Sequence, residues 1–473
     1  MRLLMKNLQK INYFSSPLAW DQKLGKILSR HYARQWSSFT EYLSPDATKD
    51  MRDLRMNRLI LRTYKNVPAY SVHYREAHID PAQVRCEADL RLLPCIAKSD
   101  FKKYAMNNIS CFASDIPKTH AYANSTSGST GEPFQYALDM RYANEKTVLR
   151  YRYWNRAGIT MSEPKIFCAP KSALFLVPNL IFLHPHFFRA RKKEYIERIR
   201  TSKAEVLFGF PLLVFDLLWA LAEENIDLTF RRAVLAGHSV SPGIRSFLKK
   251  RFECEMFEYY GTGETGSIAA ECEIHNGLHI QEENSIVEVI DDQGKPVPDG
   301  ISGKILITSL SNEIMPFIRY DPGDKGMILP DRCPCGRTSK RIVVEGRNNE
   351  FLMLGKNGEI ISPSILRGVL DQYFNHFHRY QMVQETIDHF VLNIVPVVRL
   401  DKSEERKLLE KLYECMGQTA NVSIQYVKKI SPLRGGKFQY FVSNMWSRKF
   451  PDGFFSNIPI EQQSLALQRR RGR

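Results

Sequence analysis

Between residues 120 and 330 short apolar segments alternate with helix-like stretches, and several of those segments run into loops that contain glycine. After a helix-like run over 139–157 come "KIFCAP", "AEVLFGFP", "RAVLAGHSV" and "MFEYYGTGE". Alternation of this kind predicts an α/β domain with helices layered on a sheet. Ligands in such folds gather at the carboxyl ends of the strands. The loops "AGHSV" and "YYGTGETG" are therefore expected to wall one cleft.

Ahead of them stands "NSTSGSTGEPF", residues 124–134, with two glycines and six hydroxyl or amide side chains in eleven positions. Gly128 and Gly131 allow conformations and close approaches that a Cβ would block, and the hydroxyls and backbone N–H groups can donate to an anion. The stretch reads as a phosphate cradle. In the P-loop a lysine directly follows the second glycine. Here Glu132 and Pro133 follow, so phosphate would be held without that point charge. A flexible Ser/Gly linker is the bland alternative.

The flanking regions have different patterns. Residues 1–115 read as a mainly helical entry region, with "DMRDLRMNRLILRTYKNV" as its longest mixed stretch. Period-two runs and turns over 277–345, such as "LHIQEENSIVEVI" and "GKILITSL", predict a β-rich subdomain. The last hundred residues alternate short helices and strands and suit a small α+β lid, and the turn-rich basic end from about 447 is expected to be poorly ordered. The organisation expected is an N-terminal domain over 1–346, a hinge at 347–349, a lid over 350–446 and a basic tail over 447–473.

At 473 residues two or three domains are expected, and 43% hydrophobic with 25% charged residues is ordinary globular composition. The net charge of +16 suits a nucleic acid, an anionic membrane surface or a polyphosphate ligand. No base-reading motif accompanies the basic clusters, so a nucleic-acid partner is not expected. Nine cysteines, an odd count, and the lack of a cationic-then-apolar opening favour a reducing cytoplasm. The apolar stretch "ALFLVPNLIFLHPHFF", 173–188, is broken by prolines and too short to span a bilayer; it reads as buried core or a tunnel wall. Because "RARKK" follows, peripheral contact with an anionic membrane is the minor alternative.

Five ordered stretches resemble the adenylate-forming (AMP-binding) enzymes, in particular their phenylacetate–CoA ligase and CapK-like branch. These are "STSGSTGEP" at 125–133, "YGTGE" at 260–264, "YDPGD" at 320–324, "GRNNE" at 346–350 and "PLRGGKF" at 432–438. "LLPCIAKSDF" and "GLHI" at 277–280 are similar to that branch as well. The resemblance covers almost the whole chain. It implies activation of a carboxylic acid by ATP and Mg²⁺ as an acyl-adenylate with release of pyrophosphate. The acyl group would then pass to coenzyme A or to an amine or hydroxyl acceptor. Ser127, Gly128, Ser129, Thr130 and Gly131 would hold the phosphates, and Glu264 the Mg²⁺. Tyr260 would pack on adenine beside Gly261 and Thr262, and His238 would lie near the adenine and acyl pocket. Asp324 would accept from the ribose hydroxyls, Arg347 would contact ribose or phosphate, and Lys437 would act on developing charge. Asn349 takes the pivot position, where relatives commonly carry aspartate. A protein that keeps the fold and binds nucleotide or acyl group without catalysis is the rival reading; it has no need of Lys437.

A further cluster stands apart from the nucleotide motifs. Cys272, Cys333 and Cys335 with one histidine would make a closed Cys₃His structural zinc site. His279, in the stretch that resembles the family, is the preferred fourth ligand, and His275 has the tighter spacing to Cys272.

Overall fold

In a computed structural model the described residues are 40–117, 121–125, 134–139, 151–160, 162–168, 180–183, 191–211, 228–236, 252–347, 353–354, 360–361, 369–373, 375–416, 420–430 and 440–444, with a few single positions between these spans. Of the entry region, the part that is described, from residue 40 on, carries helices. Helix α1 (Pro45–Asn66) starts where Ser44 caps the backbone N–H of Ala47 at 3.3 Å and Pro45 sets the first turn. It buries Arg52, Met56, Leu59, Ile60 and Thr63, a 3.6-period face. Pro68 opens α2 (Pro68–Glu76). The two-residue strand β1 (Ile96–Ala97) leads into α3 (Lys98–Met106), where Asp100 accepts from the N–H of Ala97 at 2.7 Å. These helices pack on one core with Phe134, Tyr136 and the segment around Ile314–Tyr320.

Strands β2 (Ala121–Ser125) and β3 (Gln135–Asp139) form an antiparallel hairpin in which Ser125 faces Gln135. Next come β4 (Lys165–Cys168), β5 (Leu180–Leu183), α4 (Lys192–Ser202), β6 (Val206–Gly209), β7 (Arg232–Ala236) and β8 (Glu255–Thr262). The five strands pair parallel in the order β5-β4-β6-β7-β8. The centres of β4, β6 and β7 are buried and apolar, as strands covered on both faces must be, while β5 at the edge is partly buried. The part of the 173–188 stretch that is described is β5, an edge strand.

The chain then turns antiparallel through β9 (Gly266–Ala270), β10 (Leu278–Ile280), β11 (Ser285–Ile290), β12 (Gly303–Ser309), β13 (Tyr320–Asp321), β14 (Asp324–Leu329) and β15 (Arg341–Arg347). The β-rich stretch does not form a sheet of its own. β8 pairs β9, β9 pairs β10, β10 pairs β15, and the order continues β14-β12-β13-β1, giving one 13-stranded sheet. Period-two patterning marks strands but carries no information on which edge they join.

The two-residue strands β16 (Met353–Leu354) and β17 (Ile360–Ile361) pair with each other. Beyond them lie β18 (Phe377–Gln384), β19 (His389–Pro396), α5 (Lys402–Met416), β20 (Asn421–Tyr426) and β21 (Phe441–Ser443). They build a four-stranded sheet, β20-β19-β18-β21, with its own core of Leu366, Leu370, Phe377, Tyr380, Leu392, Leu408 and Leu412 among others. A separate sheet with a separate core is the architecture expected of a small α+β domain. Among the described residues no helix is long and apolar enough to cross a membrane.

Candidate active site

The turn after β8 is built around Glu264. Thr262 Oγ1 accepts from the N–H of Thr265 at 3.0 Å and lies 2.9 Å from its hydroxyl, so the turn closes on its own side chains. Gly263 is needed for space: a Cβ there would stand 2.4 Å from the hydroxyl of Tyr136. Tyr136 lies on β3, just after the 126–133 stretch, so this contact sets the β2–β3 hairpin against the Glu264 turn. Glu264 is 2% exposed. Its Oε1 accepts from the Tyr320 hydroxyl at 3.0 Å and pairs with the Lys98 ammonium at 3.0 Å. The parallel pairing of β1 with β13, Ile96 opposite Tyr320, delivers both groups. Burial pushes the Glu264 carboxyl up, but the charge and hydrogen bond of Lys98, with Tyr320, outweigh it and hold the group below 4.5.

Lys98 and Tyr320 were not among the sequence candidates. Tyr320 opens "YDPGD", and Lys98 sits in "LLPCIAKSDF" where a helix starts, so both were inside recognised stretches. A long-range strand pair, invisible locally, is what aims them.

Tyr260 and Asp324 form the second pair. The Tyr260 hydroxyl donates to Asp324 Oδ2 at 2.6 Å, and Asp324 is 8% exposed. Across β14 and β15 the backbone of Asp324 pairs with that of Arg347, the last residue of β15. Gly261 is also sterically required, since a Cβ would lie 2.3 Å from the Gly266 carbonyl oxygen. Ala236, which ends β7, pairs with Tyr259. Ser127, Gly128, Ser129, Thr130, Gly131, His238, Asn349 and Lys437 lie outside the described residues, as does the Arg347 side chain. The segment with Lys437 is nevertheless bounded by a contact: Ile430 before it packs against Tyr440 after it.

The three cysteines converge with one histidine. Ligand atoms of Cys272, His279, Cys333 and Cys335 all lie within 4.8 Å of one another. Tetrahedral zinc with Zn–S bonds of about 2.3 Å places two sulfurs roughly 3.8 Å apart; Cys272 and Cys333 Sγ are 3.7 Å apart. Cys335 Sγ lies 3.3 Å from His279 Nε2, and His279 Nδ1 lies 3.1 Å from Ser339 Oγ, a contact that fixes the ring. Burial, with Arg156, Arg337 and Arg341 nearby, pushes His279 down to about 3, which keeps the imidazole neutral as a metal ligand must be. The donor set fits zinc.

His275 does not join this cluster. Its Nδ1 lies 3.2 Å from Glu271 Oε2 and 3.3 Å from Arg245, and its Nε2 lies 3.2 Å from Glu255 Oε1. Its left-handed backbone, φ 54°, turns the chain after Cys272 and directs the ring away from the sulfurs. Close spacing put His275 in contention, but it is His279, held on β10, that reaches the cluster. The loop after Cys335 is tied down as well: Arg337 pairs with buried Glu41 at 3.2 Å, and Glu41 pairs with Arg156 at 2.5 Å.

With this geometry in hand, comparison with known proteins places the chain. The profile described as "AMP-binding enzyme" matches residues 78–314, half of the chain. The chain belongs to the AMP-binding enzyme family. A second profile, the CapK C-terminal domain, matches residues 353–444. The phenylacetate-coenzyme A ligase of Thermus thermophilus is 24% identical over 398 residues, covering 80% of this chain and 85% of that protein. Protein CapK of Staphylococcus aureus is 21% identical over 458 residues, covering 92% and 99%. The fold is similar to that of 2-hydroxyisobutyryl-CoA ligase solved in its postadenylation state, with TM-score 0.75 at 17% identity over 92% of this chain and 94% of the other. The phenylacetate–CoA ligase and CapK-like branch suggested by the motifs is thus the branch these comparisons support, and the protein is an adenylate-forming ligase by family.

Proposed function

We propose that the chain activates a carboxylic acid with ATP and passes the acyl group to coenzyme A. A carboxylate is a poor electrophile, so one of its oxygens first attacks the α-phosphorus of ATP. The bond to the β-phosphate breaks and pyrophosphate leaves. The thiol then gives up its proton, its sulfur attacks the acyl carbon, and AMP departs with the electron pair of the broken C–O bond. The observation that carries this reading is the convergence of Lys98 and Tyr320 on Glu264 together with the Tyr260–Asp324 hydrogen bond, with Tyr136 against Gly263 in the Glu264 turn.

In this reading Asp324 accepts from the ribose hydroxyls and Tyr260 offers its ring to adenine. The cradle residues Ser127 to Gly131 donate to the β- and γ-phosphates and can release pyrophosphate, because they hold it by hydrogen bonds and not by a lysine. Glu264 would hold Mg²⁺, which when bound supplies charge neutralisation across the phosphates. Lys98 and Tyr320 fix that carboxylate in one orientation. Lys437 would stabilise charge on the α-phosphate and substrate carboxylate, and the hinge at 347–349 would let the domain that carries it change places between the two half-reactions. Cys272, His279, Cys333 and Cys335 would hold a structural zinc that takes no part in bond-making.

An amine or hydroxyl acceptor is the second reading, since the adenylation half-reaction is the same for either acceptor. The test is carboxylate-dependent exchange of pyrophosphate into ATP across aromatic, fatty, hydroxy and amino acids, followed by acceptor trials with the best acid. Thioester formed from coenzyme A supports the first reading. Adenylation with no thioester, together with an amide or ester product, supports the second. No exchange with any acid would favour a binding protein that keeps the fold.

A further inference from the structure

Tyr260 and Asp324 touch although their strands are four places apart in the sheet, along β8-β9-β10-β15-β14. Neighbouring strands lie about 4.8 Å apart, so a flat sheet would hold the two backbones roughly 19 Å from each other. The 2.6 Å hydrogen bond between them requires the sheet to roll, bringing the carboxyl end of β8 over the start of β14. Each residue also adjoins an interruption in pairing. The β8–β9 register shifts between Tyr260 and Gly261, and the β14–β15 register between Lys325 and Gly326. Bulges bend a strand and re-aim neighbouring side chains. Here they aim a phenol and a carboxylate at one another.

We propose that Tyr260 is a positioning residue for Asp324 and that its hydroxyl sets the enzyme's preference for a nucleotide with an intact ribose. The inference rests on the reading of Asp324 as the ribose acceptor. A carboxylate that must accept from a diol has to present its oxygens in one plane, and rotation about its last bond would spoil that. A phenol O–H donating to an ionised carboxylate at 2.6 Å is in the strong, charge-assisted class, and the buried setting strengthens it. Fixing the plane before the ligand arrives removes an ordering cost from binding. The same bond holds the Tyr260 ring by its far end, so one contact orients both the ribose acceptor and the flat surface beside it.

The test measures ATP and 3′-deoxy-ATP binding to the full-length chain with wild type, Tyr260→Phe, Asp324→Ala and the double variant. Tyr260→Phe keeps the ring and deletes only the donor. The expected result is ATP binding about fivefold or more weaker and a preference for ATP over 3′-deoxy-ATP narrowed by a similar factor. In the Asp324→Ala background the tyrosine change should have no further effect, because the hydroxyl acts only through the carboxylate. If Tyr260→Phe keeps the wild-type ratio while Asp324→Ala abolishes it, the inference falls and the ribose reading stands. If Asp324→Ala keeps the wild-type ratio, the ribose reading itself falls.

Discussion

The Lys98 ammonium lies 3.0 Å from Glu264 Oε1, a carboxylate 2% exposed that takes its other described hydrogen bond from Tyr320. Without a cation beside it, burial would drive that carboxyl toward its neutral form. The folded value is held below 4.5, so ionised Glu264 contributes stability above 4.5 that is lost as pH falls through the lower folded value. Lys98→Met leaves burial less opposed. The acid limb of pyrophosphate exchange should then move to higher pH, and Tyr320→Phe should move it the same way by less. The pH–rate profiles of the three proteins check this, and an unmoved limb in Lys98→Met would show that Lys98 does not keep Glu264 charged.

Zinc is the next expectation. Protein prepared without chelators should carry close to one zinc per chain, and Cys333→Ser, Cys335→Ser or His279→Ala should lose the metal together with thermal stability, since such binding is coupled to folding. His275→Ala should keep it, because that ring faces Glu271 and Glu255. Ser339→Ala removes the partner of His279 Nδ1 and should weaken zinc by about tenfold, the usual scale for a group that orients a ligand. Metal analysis with chelator competition reads all of these. Full zinc content in Cys335→Ser would remove that thiolate from the site.

His275 provides a stability test with a defined sign. The hydrogen bond to Glu271 raises it above 6.5 against the effect of burial, with Glu255 adding and Arg245 subtracting. A raised folded value means stability that is fully present below 6.5 and disappears as pH climbs through the folded value. His275→Gln should therefore cost roughly 1 kcal/mol at pH 5.5 and little at pH 9. Thermal melts at the two pH values would show it, and an equal loss at both would mean packing against Phe257, 4.7 Å away, is the larger effect.

Local chemistry was legible and long-range geometry was not. The Glu264 turn could be read because glycine, threonine and glutamate at fixed offsets carry their own constraint, and Gly263 proves necessary against Tyr136. The cysteine pair at 333 and 335 could be read because ligand spacing is a local signal; His279 could be preferred over His275 only by the stretch that holds it, and it is the pairing of β10 with β9 and β15 that positions its ring at the sulfurs. Lys98 stayed hidden because its role depends on β1 lying beside β13, more than two hundred residues away. The β-rich stretch was legible as strands, yet its merger into one sheet with the parallel half depends on the β9–β10 and β10–β15 pairings.

In the proposed reading Lys437 is the residue that an enzyme needs and a binding protein does not. Ile430 and Tyr440 pack together at the two ends of its segment, and Met382 N–H donates to the Tyr440 carbonyl at 2.7 Å, so the attachment to β18 does not depend on the lysine. Lys437→Ala should accordingly leave the thermal melt unchanged. Its expected cost is on the order of 100-fold in adenylate formation, the scale for removing one group that stabilises developing charge, with ATP affinity nearly kept. A hinge variant should behave in the opposite way. Asn349→Pro fixes one φ and restricts Asn348, so adenylation should survive while transfer to the acceptor slows. Single-turnover measurement of each half-reaction resolves the two cases. Normal pyrophosphate exchange in Lys437→Ala would assign the charge to another group, and equal loss of both half-reactions in Asn349→Pro would place the pivot elsewhere.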